Sequence, residues 1–494
     1  MRIRRRSNLV RISNKSLFMI LGIILLARLF AMAALPLTDT SEPRYAEIAR
    51  IMAVSGDWIT PWFEPGVPFW GKPPLAFWAQ ALSIRLFGLS ELAVRLPSFL
   101  VMLLVAGLVY HAAREALGPR QARWTVLILA TMLLPFASAG AVLTDPFLAL
   151  GVTLSMLALM LTPYCHTPFW RYGFFIGMSI GLLAKGPLAL ALIGGASFAW
   201  ALWAQEGRRT MKAQPWSAGL ALMLVISLPW YVAAELKTPG FLRYFLEGEH
   251  FLRFVDAGWT GDRYGTAHAR AWGGIWLDWL AASAPWSLII FAGLLALPFK
   301  HNLRQAAHAA VQKPIVKLLV SWALAAPILF TFSGNILWTY VLPSLPPLAL
   351  GLGCWMSSST STRNERFARP ILIAASLLVP TTAVALGTLS ILDETRFKTE
   401  KALVAAAEKI QQSGEALYFV GSRPFSARYY SQGKALLLAW QESTLPSFSS
   451  SGRLLVAVPR GKSWPLLAAS GIVAKARYSS RRFILYELRE TARP

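Results

Sequence analysis

The stretch TDTSEPRYAEIARIM (residues 38–52), followed by GDWITPWFEPGVPFWGKPPLAFW (56–78), decides how this chain is read. Acidic, basic and aromatic residues crowd here into a sequence that otherwise looks built for lipid. A charge held at the edge of a membrane is costly unless it is paired or used. The loop from Thr38 to Phe77 is therefore the first place to look for chemistry.

Outward from that loop the chain is apolar. Of its 494 residues 55% are hydrophobic and only 15% charged, which is unlike a soluble protein. Uninterrupted apolar stretches of about 20 residues recur, enough to cross a ~30 Å hydrocarbon core. The 20 Trp and 13 Tyr fit interfacial belts. The pattern predicts an all-α polytopic membrane domain over residues 1–391. Eleven spans are expected, at 17–37, 92–112, 122–141, 144–161, 171–185, 187–204, 215–235, 273–298, 315–333, 337–356 and 370–391. Only Lys185-Gly186-Pro187 separates the fifth from the sixth.

The net charge of +24 acquires meaning once it is placed along the chain. It does not gather into one soluble basic module, so nucleic acid is not an expected partner. The leader MRIRRRSNLVRISNK and loops 113–121, 205–214, 299–314 and 357–369 are basic and fall on one side of an eleven-span topology. Asp39, Glu42, Asp57, Glu64, Asp145, Glu247, Glu249, Asp256 and Asp262 fall on the other. The positive-inside rule then makes the N-terminus cytoplasmic and the acidic loops extracytoplasmic. The first span reads as a retained anchor, since no convincing A-x-A-like cleavage site follows its basic leader. Cys165 and Cys354 give no disulfide framework and read as packing residues.

Within the outer loop, Ser41-Glu42-Pro43 reads as a helix start. Tyr45, Ile48, Ala49, Met52 and Ala53 follow as one apolar stripe, as for a helix lying on the membrane surface. Gly56 ends it, five prolines stiffen residues 61–74, and 75–88 predict a second helix. After Ile391 the character changes. A helix at about 397–412 and β-like runs at Ala416–Val420, Leu454–Val458 and Phe483–Leu488 predict a small extracytoplasmic α/β domain over 392–494. It carries twice as many basic as acidic residues, which suits an anionic acceptor or lipid head groups, or a plain structural cap.

The outer loops hold carboxylates at Asp39, Glu42, Asp145 and Glu249, with His250 beside the last. They also hold cations at Arg44, Lys72, Lys185, Arg253 and Arg263. Such a mixed set suits transfer of a group carried on a phosphate. A carboxylate orients or deprotonates an acceptor oxygen, and Lys and Arg stabilise charge on a departing phosphate. Each residue also has a plainer reading. Arg44 and Glu47 fit a solvated i, i+3 pair, Asp145 an N-cap, Lys185 and Lys72 snorkelling anchors, and His250 a satisfied polar residue. The aromatics of 58–78 fit an interfacial belt.

At these residues the chain resembles a known family. TSEPRYAEIARIMAVSGDW, PFWGKPPLAFW and LTDP are similar to the motifs of the GT-C class of polyprenyl-phosphate-dependent glycosyltransferases, and the aminoarabinose transferase-like branch related to protein O-mannosyltransferases matches best. GLLAKGPLAL, PWYVAAELKTPGFLRYFLEGEHFLRF and WTYVLPSLPPLAL extend the resemblance over about residues 20–355.

The resemblance implies an inverting transferase that moves a sugar from a polyprenyl (undecaprenyl) phosphate donor to lipid A or another envelope acceptor, on the outer face of a bacterial inner membrane. It implies Glu42, Asp39 or Asp145 as the catalytic carboxylate. Arg44, Lys72, Arg253, Arg263 and Lys185 would meet the donor phosphate, with Tyr45, Tyr340, Trp70, Glu249 and His250 against substrate. Two departures stand out: Ser41 replaces the first acid of the family's pair, and Gly71 replaces the Glu that often precedes the Lys of KPP. No cofactor is required. A divalent metal stays open, although Gly71 removes one family ligand and His250 with Glu249 makes too small a set. The chain is read as a monomer among membrane lipids. A lipid-linked sugar flippase and an inactive lipid-binding scaffold are the competing functions.

Overall fold

A computed structural model describes residues 14–490 apart from 166, 257, 266–267, 269, 297, 359–364, 413–414, 441–447, 449–451, 463 and 469–470. Most of the basic leader and part of the 357–369 loop lie outside the described residues. The architecture is mostly helical, with a small C-terminal sheet. Among the described residues, five helices are long and apolar enough to cross a membrane: Lys15–Ala34, Glu91–Ala116, Trp216–Lys237, Pro314–Thr331 and Ile373–Leu392. The pair Gly274–Ala282 and Trp286–Ala296 qualifies together but bends by 110°. The protein is a multi-pass membrane protein.

Other expected spans are helical but shorter or broken. Residues 122–141 divide into Pro119–Thr131 and Leu133–Ser138, and 337–356 begin as the 3-10 turn Trp338–Ser344 before Leu345–Ser358. Prolines account for part of this, since Pro135 and Pro343 lack the N–H a continuous helix needs.

Two of the short helices set the site. Asp145–Leu161 and Pro168–Lys185 run antiparallel and touch through glycines. A Cβ on Gly151 would lie 2.6 Å from the Gly177 carbonyl oxygen, and one on Gly177 would lie 2.4 Å from the Gly151 oxygen. Only small residues allow backbones this close, the usual way helices pack where lipid gives no hydrophobic driving force. The consequence is positional: Asp145, at the N-terminus of one helix, and Lys185, at the C-terminus of the other, are brought side by side. Each charge also sits at the helix end whose dipole favours it. Gly186 (φ 72°) then turns the chain into Pro187–Trp203, and a side chain there would strike Phe245 at 2.5 Å.

The outer loop folds as two helices, Ser41–Ser55 and Leu75–Phe87, joined by the hairpin Trp62–Glu64/Val67–Pro68. The first starts at Ser41, after Thr40, whose side chain caps nothing. It stops where Gly56 takes the left-handed conformation and donates its N–H to the Met52 carbonyl. Its apolar stripe does not lie in lipid, as the sequence led us to expect. Tyr45, Ile48, Ala49 and Met52 are buried against Phe69, Phe77, Ala81 and Tyr429. The helix is therefore sandwiched between the loop and the C-terminal sheet domain.

That domain holds five strands in the order Leu436–Leu438, Leu417–Val420, Arg453–Pro459, Phe483–Glu490, Ile472–Ser479. The first three are parallel and the last two antiparallel to their neighbours. Arg453–Pro459 is buried over Leu454–Val458, as expected of a central strand covered on both faces. Helices Lys401–Ile410 and Phe425–Tyr430 supply much of one cover, and Trp464 helps fill the other.

Candidate active site

A cavity of about 360 Å³ opens where the outer loop meets the ends of the short helices. Thr38 to Glu42, Arg44, Tyr45, Gly71 and Lys72 form one wall. Asp145, Lys185, Glu249, Arg253, Asp262, Tyr264, His268 and Tyr340 complete it from four further segments. A smaller space shares Lys72, Lys185, Glu249, Arg253 and Tyr340 with it and continues to Leu188, Phe254 and Phe330. Charge and apolar surface thus meet in one continuous cleft.

Cations and acids are matched within it. Lys185 Nζ donates to Asp145 Oδ1 at 2.7 Å and lies 4.7 Å from the centre of the Tyr340 ring. The pair is buried, so Lys185 is not a snorkelling anchor, and Asp145 is not an N-cap: Thr144 precedes the helix. The Asp145 Oδ2 atom has no protein partner among the described residues. Lys72 Nζ donates to Glu249, and Arg253 Nη1 reaches both Glu249 oxygens at 2.9 Å and Asp262 at 3.4 Å. Glu249 sits on the π-helical segment Tyr244–Leu252, a wide turn of a kind that recurs at functional sites. Burial alone would raise its carboxyl pKa, but the charges of Lys72 and Arg253 hold it below the ordinary value.

The three candidate carboxylates differ sharply. Glu42 is gripped by Arg95 (Nη2 to Oε2, 2.7 Å; Nε to Oε1, 3.3 Å) and accepts the Val142 N–H at 3.1 Å. Burial works against its charge, yet Arg95, Val142 and Arg28 together lower its pKa. Asp39 has both oxygens taken, by the Ser426 N–H and hydroxyl (2.8 and 2.7 Å) and by Arg482 (2.5 Å), and its side chain is only 2% exposed. Its carboxylate is held by the C-terminal domain although the residue is among those lining the cavity. Asp145 alone of the three keeps an oxygen free for a ligand.

Arg44 donates to the Tyr264 carbonyl at 2.7 Å, and its Nε is buried without a partner among the described residues. Glu47 pairs with Arg50, not with Arg44. Two expected site residues are not brought to either space. Arg263 stacks on Trp70 and Tyr244 (4.8 and 5.1 Å to the ring centres), and Trp70 donates its indole N–H to Thr238. Tyr45 lines the larger cavity with Tyr340. His250 lines the smaller space, its ring nitrogens 2.7 and 2.9 Å from the carbonyl oxygens of Phe245 and Lys185. Arg95, Tyr264 and His268 escaped the sequence reading. Arg95 was the one with a signal, a lone cation near the outer end of an apolar span.

A divalent cation does not suit this donor set. Glu42, Asp145, Glu249 and Asp262 are each engaged by Lys or Arg, and among the described residues no three His, Cys, Asp or Glu side chains converge. A side chain at Gly71 would meet the Phe69 ring at 2.9 Å, so the position where the resembling branch carries Glu is closed here.

Residues 34–245 match the family model described as dolichyl-phosphate-mannose-protein mannosyltransferase. The chain is 31% identical over 337 residues to the undecaprenyl phosphate-alpha-4-amino-4-deoxy-L-arabinose arabinosyl transferase 1 of Pseudomonas fluorescens (strain Pf0-1), covering 66% of this chain and 55% of that protein. It is 32% identical over 336 residues to the corresponding transferase of Edwardsiella ictaluri (strain 93-146), covering 67% and 57%. The chain thus spans little more than half the length of the curated relatives it matches.

In fold it is similar to ArnT from Cupriavidus metallidurans bound to undecaprenyl phosphate, with TM-score 0.74, 18% identity, and coverage of 96% of this chain and 98% of that one. It is more distantly similar to the archaeal oligosaccharyltransferase AglB from Archaeoglobus fulgidus, with TM-score 0.52, 12% identity, and coverage of 86% and 65%. In motif and sequence the chain is thus similar to the aminoarabinose transferases, and in fold to ArnT and, more distantly, to AglB.

Proposed function

We propose that this chain is an inverting glycosyltransferase of the bacterial inner membrane. It moves a sugar from an undecaprenyl-phosphate-type donor to lipid A or a similar envelope acceptor. The observation that carries this reading is the joining of Lys72, Arg253, Arg44 and Lys185 with Asp145 in one cleft that runs on to Leu188, Phe254 and Phe330. The relatives' names point the same way. The buried, unpartnered Nε of Arg44 supports an anionic ligand.

The chemistry follows from charge. A polyprenyl phosphosugar is a phosphodiester with one negative charge. When the bond from the sugar's anomeric carbon to the phosphate oxygen breaks, the leaving polyprenyl phosphate carries a second. Lys72 and Arg253 therefore stabilise the departing group more than the bound donor, which is what accelerates a reaction. The acceptor oxygen attacks the opposite face of that carbon, giving inversion. Asp145, through its free oxygen, orients the acceptor. A phosphate acceptor is already ionised near neutrality, so alignment outweighs base catalysis. Glu42 serves by holding Arg95 and the loop, since a carboxyl with a lowered pKa is a poor proton acceptor.

The accompanying topology has eleven spans, a cytoplasmic N-terminus, and a periplasmic α/β domain over 392–494 beyond a membrane domain over 1–391. Purified protein given a labelled undecaprenyl-phosphate sugar and lipid A tests the reading. Transfer to the acceptor supports it. Movement of the donor across liposomes without transfer makes the protein a flippase, and binding without either makes it a scaffold.

A further inference from the structure

The segment between the first membrane helix and the helix Ser41–Ser55 is short, and it forms a wall of the cavity. What fixes it comes from the far end of the chain. The Leu37 N–H donates to the Tyr430 hydroxyl at 2.8 Å, and that hydroxyl donates to Glu91 at 3.1 Å. The Asp39 N–H donates to the Lys398 carbonyl at 2.8 Å. The Asp39 carboxylate accepts from Ser426 twice and from Arg482, and Arg482 Nε also holds Glu400 at 2.8 Å. Nearby, Arg423 and Arg428 close on Glu64 of the loop hairpin at 2.7 and 3.1 Å. Every contact here is a buried or half-buried polar bond of defined direction. A surface resting loosely on lipid would not need them.

We propose that Arg482, with Ser426, acts through Asp39 as a positioning clasp for the reacting loop, so that the C-terminal domain sets the geometry of the cavity three residues away at Glu42. This rests on the glycosyltransferase reading and deepens it. Asp39 becomes a positioning residue, not a catalytic one, and the domain's task includes holding the Thr38–Glu42 wall in register with Asp145 and Lys72. Misplacing a reacting group by about 1 Å costs on the order of 10²-fold in rate. The clasp therefore acts on turnover more than on donor affinity, which Lys72 and Arg253 supply from other segments.

The experiment uses the full-length protein in detergent or nanodiscs. Arg482→Ala should lower kcat at least ~10-fold with donor KM changed by less than about threefold, and Arg482→Lys should restore part of the loss. Ser426→Ala, which keeps the backbone donor, should fall between wild type and Arg482→Ala. Arg477→Ala breaks an ion pair with Glu487 inside the same sheet, away from the loop, and should leave kcat unchanged. A second readout is independent of activity. With Cys165 and Cys354 replaced by Ala, the alkylation rate of Ser41→Cys should change several-fold when Arg482→Ala is added.

Folded Arg482→Ala protein with normal kcat and normal alkylation overturns the clasp, as does an Arg477→Ala loss of equal size. If Arg482→Ala does not fold, Arg482→Lys and Ser426→Ala decide by the same two readouts. Wild-type protein without transfer, whose Ser41→Cys alkylation still responds to Arg482→Ala, sinks the glycosyltransferase reading and leaves the clasp standing.

Discussion

Lys72 and Glu249, 177 positions apart, are in direct contact, and the same carboxylate holds Arg253 at 2.9 Å. The cations we propose for the donor phosphate are both held by one internal acid. Lys72→Ala removes a donor that acts on developing charge, and transfer should fall by at least ~10²-fold while expression holds. Kinetics on purified protein check this, and turnover close to wild type would strike Lys72 from the site.

Glu249→Gln keeps the shape but removes the competing charge. Binding of undecaprenyl phosphate should tighten by about tenfold, because the phosphate no longer displaces a charge-assisted pair. Titration of the lipid by intrinsic Trp fluorescence reads it. Weaker binding would mean that Glu249 contacts the ligand favourably instead of standing in for it.

Asp145 and Lys185 form a buried pair, and losing one partner of such a pair costs about 3–5 kcal/mol because the other charge is stranded. Asp145→Asn should therefore lower both the unfolding temperature and turnover. The double variant Asp145→Asn/Lys185→Met should regain much of the stability without regaining activity. Recovery of both would make the pair structural only.

Acidification should act first through histidine. Burial and the neighbouring Lys72 charge keep His250 below the ordinary value of 6.5, against the pull of its two carbonyl partners. A group whose folded pKa is depressed loses its stabilising contribution as pH falls below the unfolded value. The unfolding temperature should therefore begin to drop below about pH 6.5. His250→Asn should lessen this step without abolishing it, since burial depresses His268 in the same sense. The contribution of Glu42, whose folded pKa lies under its ordinary 4.5, should be complete above that value and vanish only below it. A midpoint flat from pH 7 to 5 would contradict the histidine step.

Much of this molecule was legible in one sequence because its strongest signals are local. Apolar runs marked the helical segments. The second loop helix was expected at 75–88 and spans Leu75–Phe87, and the strand expected at 483–488 spans Phe483–Glu490. The strands Leu436–Leu438 and Ile472–Ser479 were missed: one is three residues long, and the other lies exposed at the sheet edge, where the small Ala474 and Ala476 make its alternation weak.

The site was legible as a set of charges and not as a set of pairs. Nothing near Asp39 tells it apart from Glu42, since the groups that claim it are Ser426 and Arg482, 387 and 443 positions away. Arg263 and Trp70 carry suitable chemistry, but stacking on one another turns both from the cavity. Arg95 hides in an apolar run because its guanidinium is satisfied by Glu42 and by the carbonyls of Met32, Leu35 and Pro36 at the end of the first helix.

The bond between Asp39 and Arg482 also imposes an order on biosynthesis. The ribosome delivers Asp39 early and its partner more than four hundred codons later, once nearly all the membrane helices have been inserted. Until the β-hairpin that carries Arg482 is translated, the Asp39 carboxylate lacks the guanidinium that clamps it, and the Thr38–Glu42 wall is held at fewer points than in the finished fold. That wall therefore takes its final shape only after Arg482 has been made.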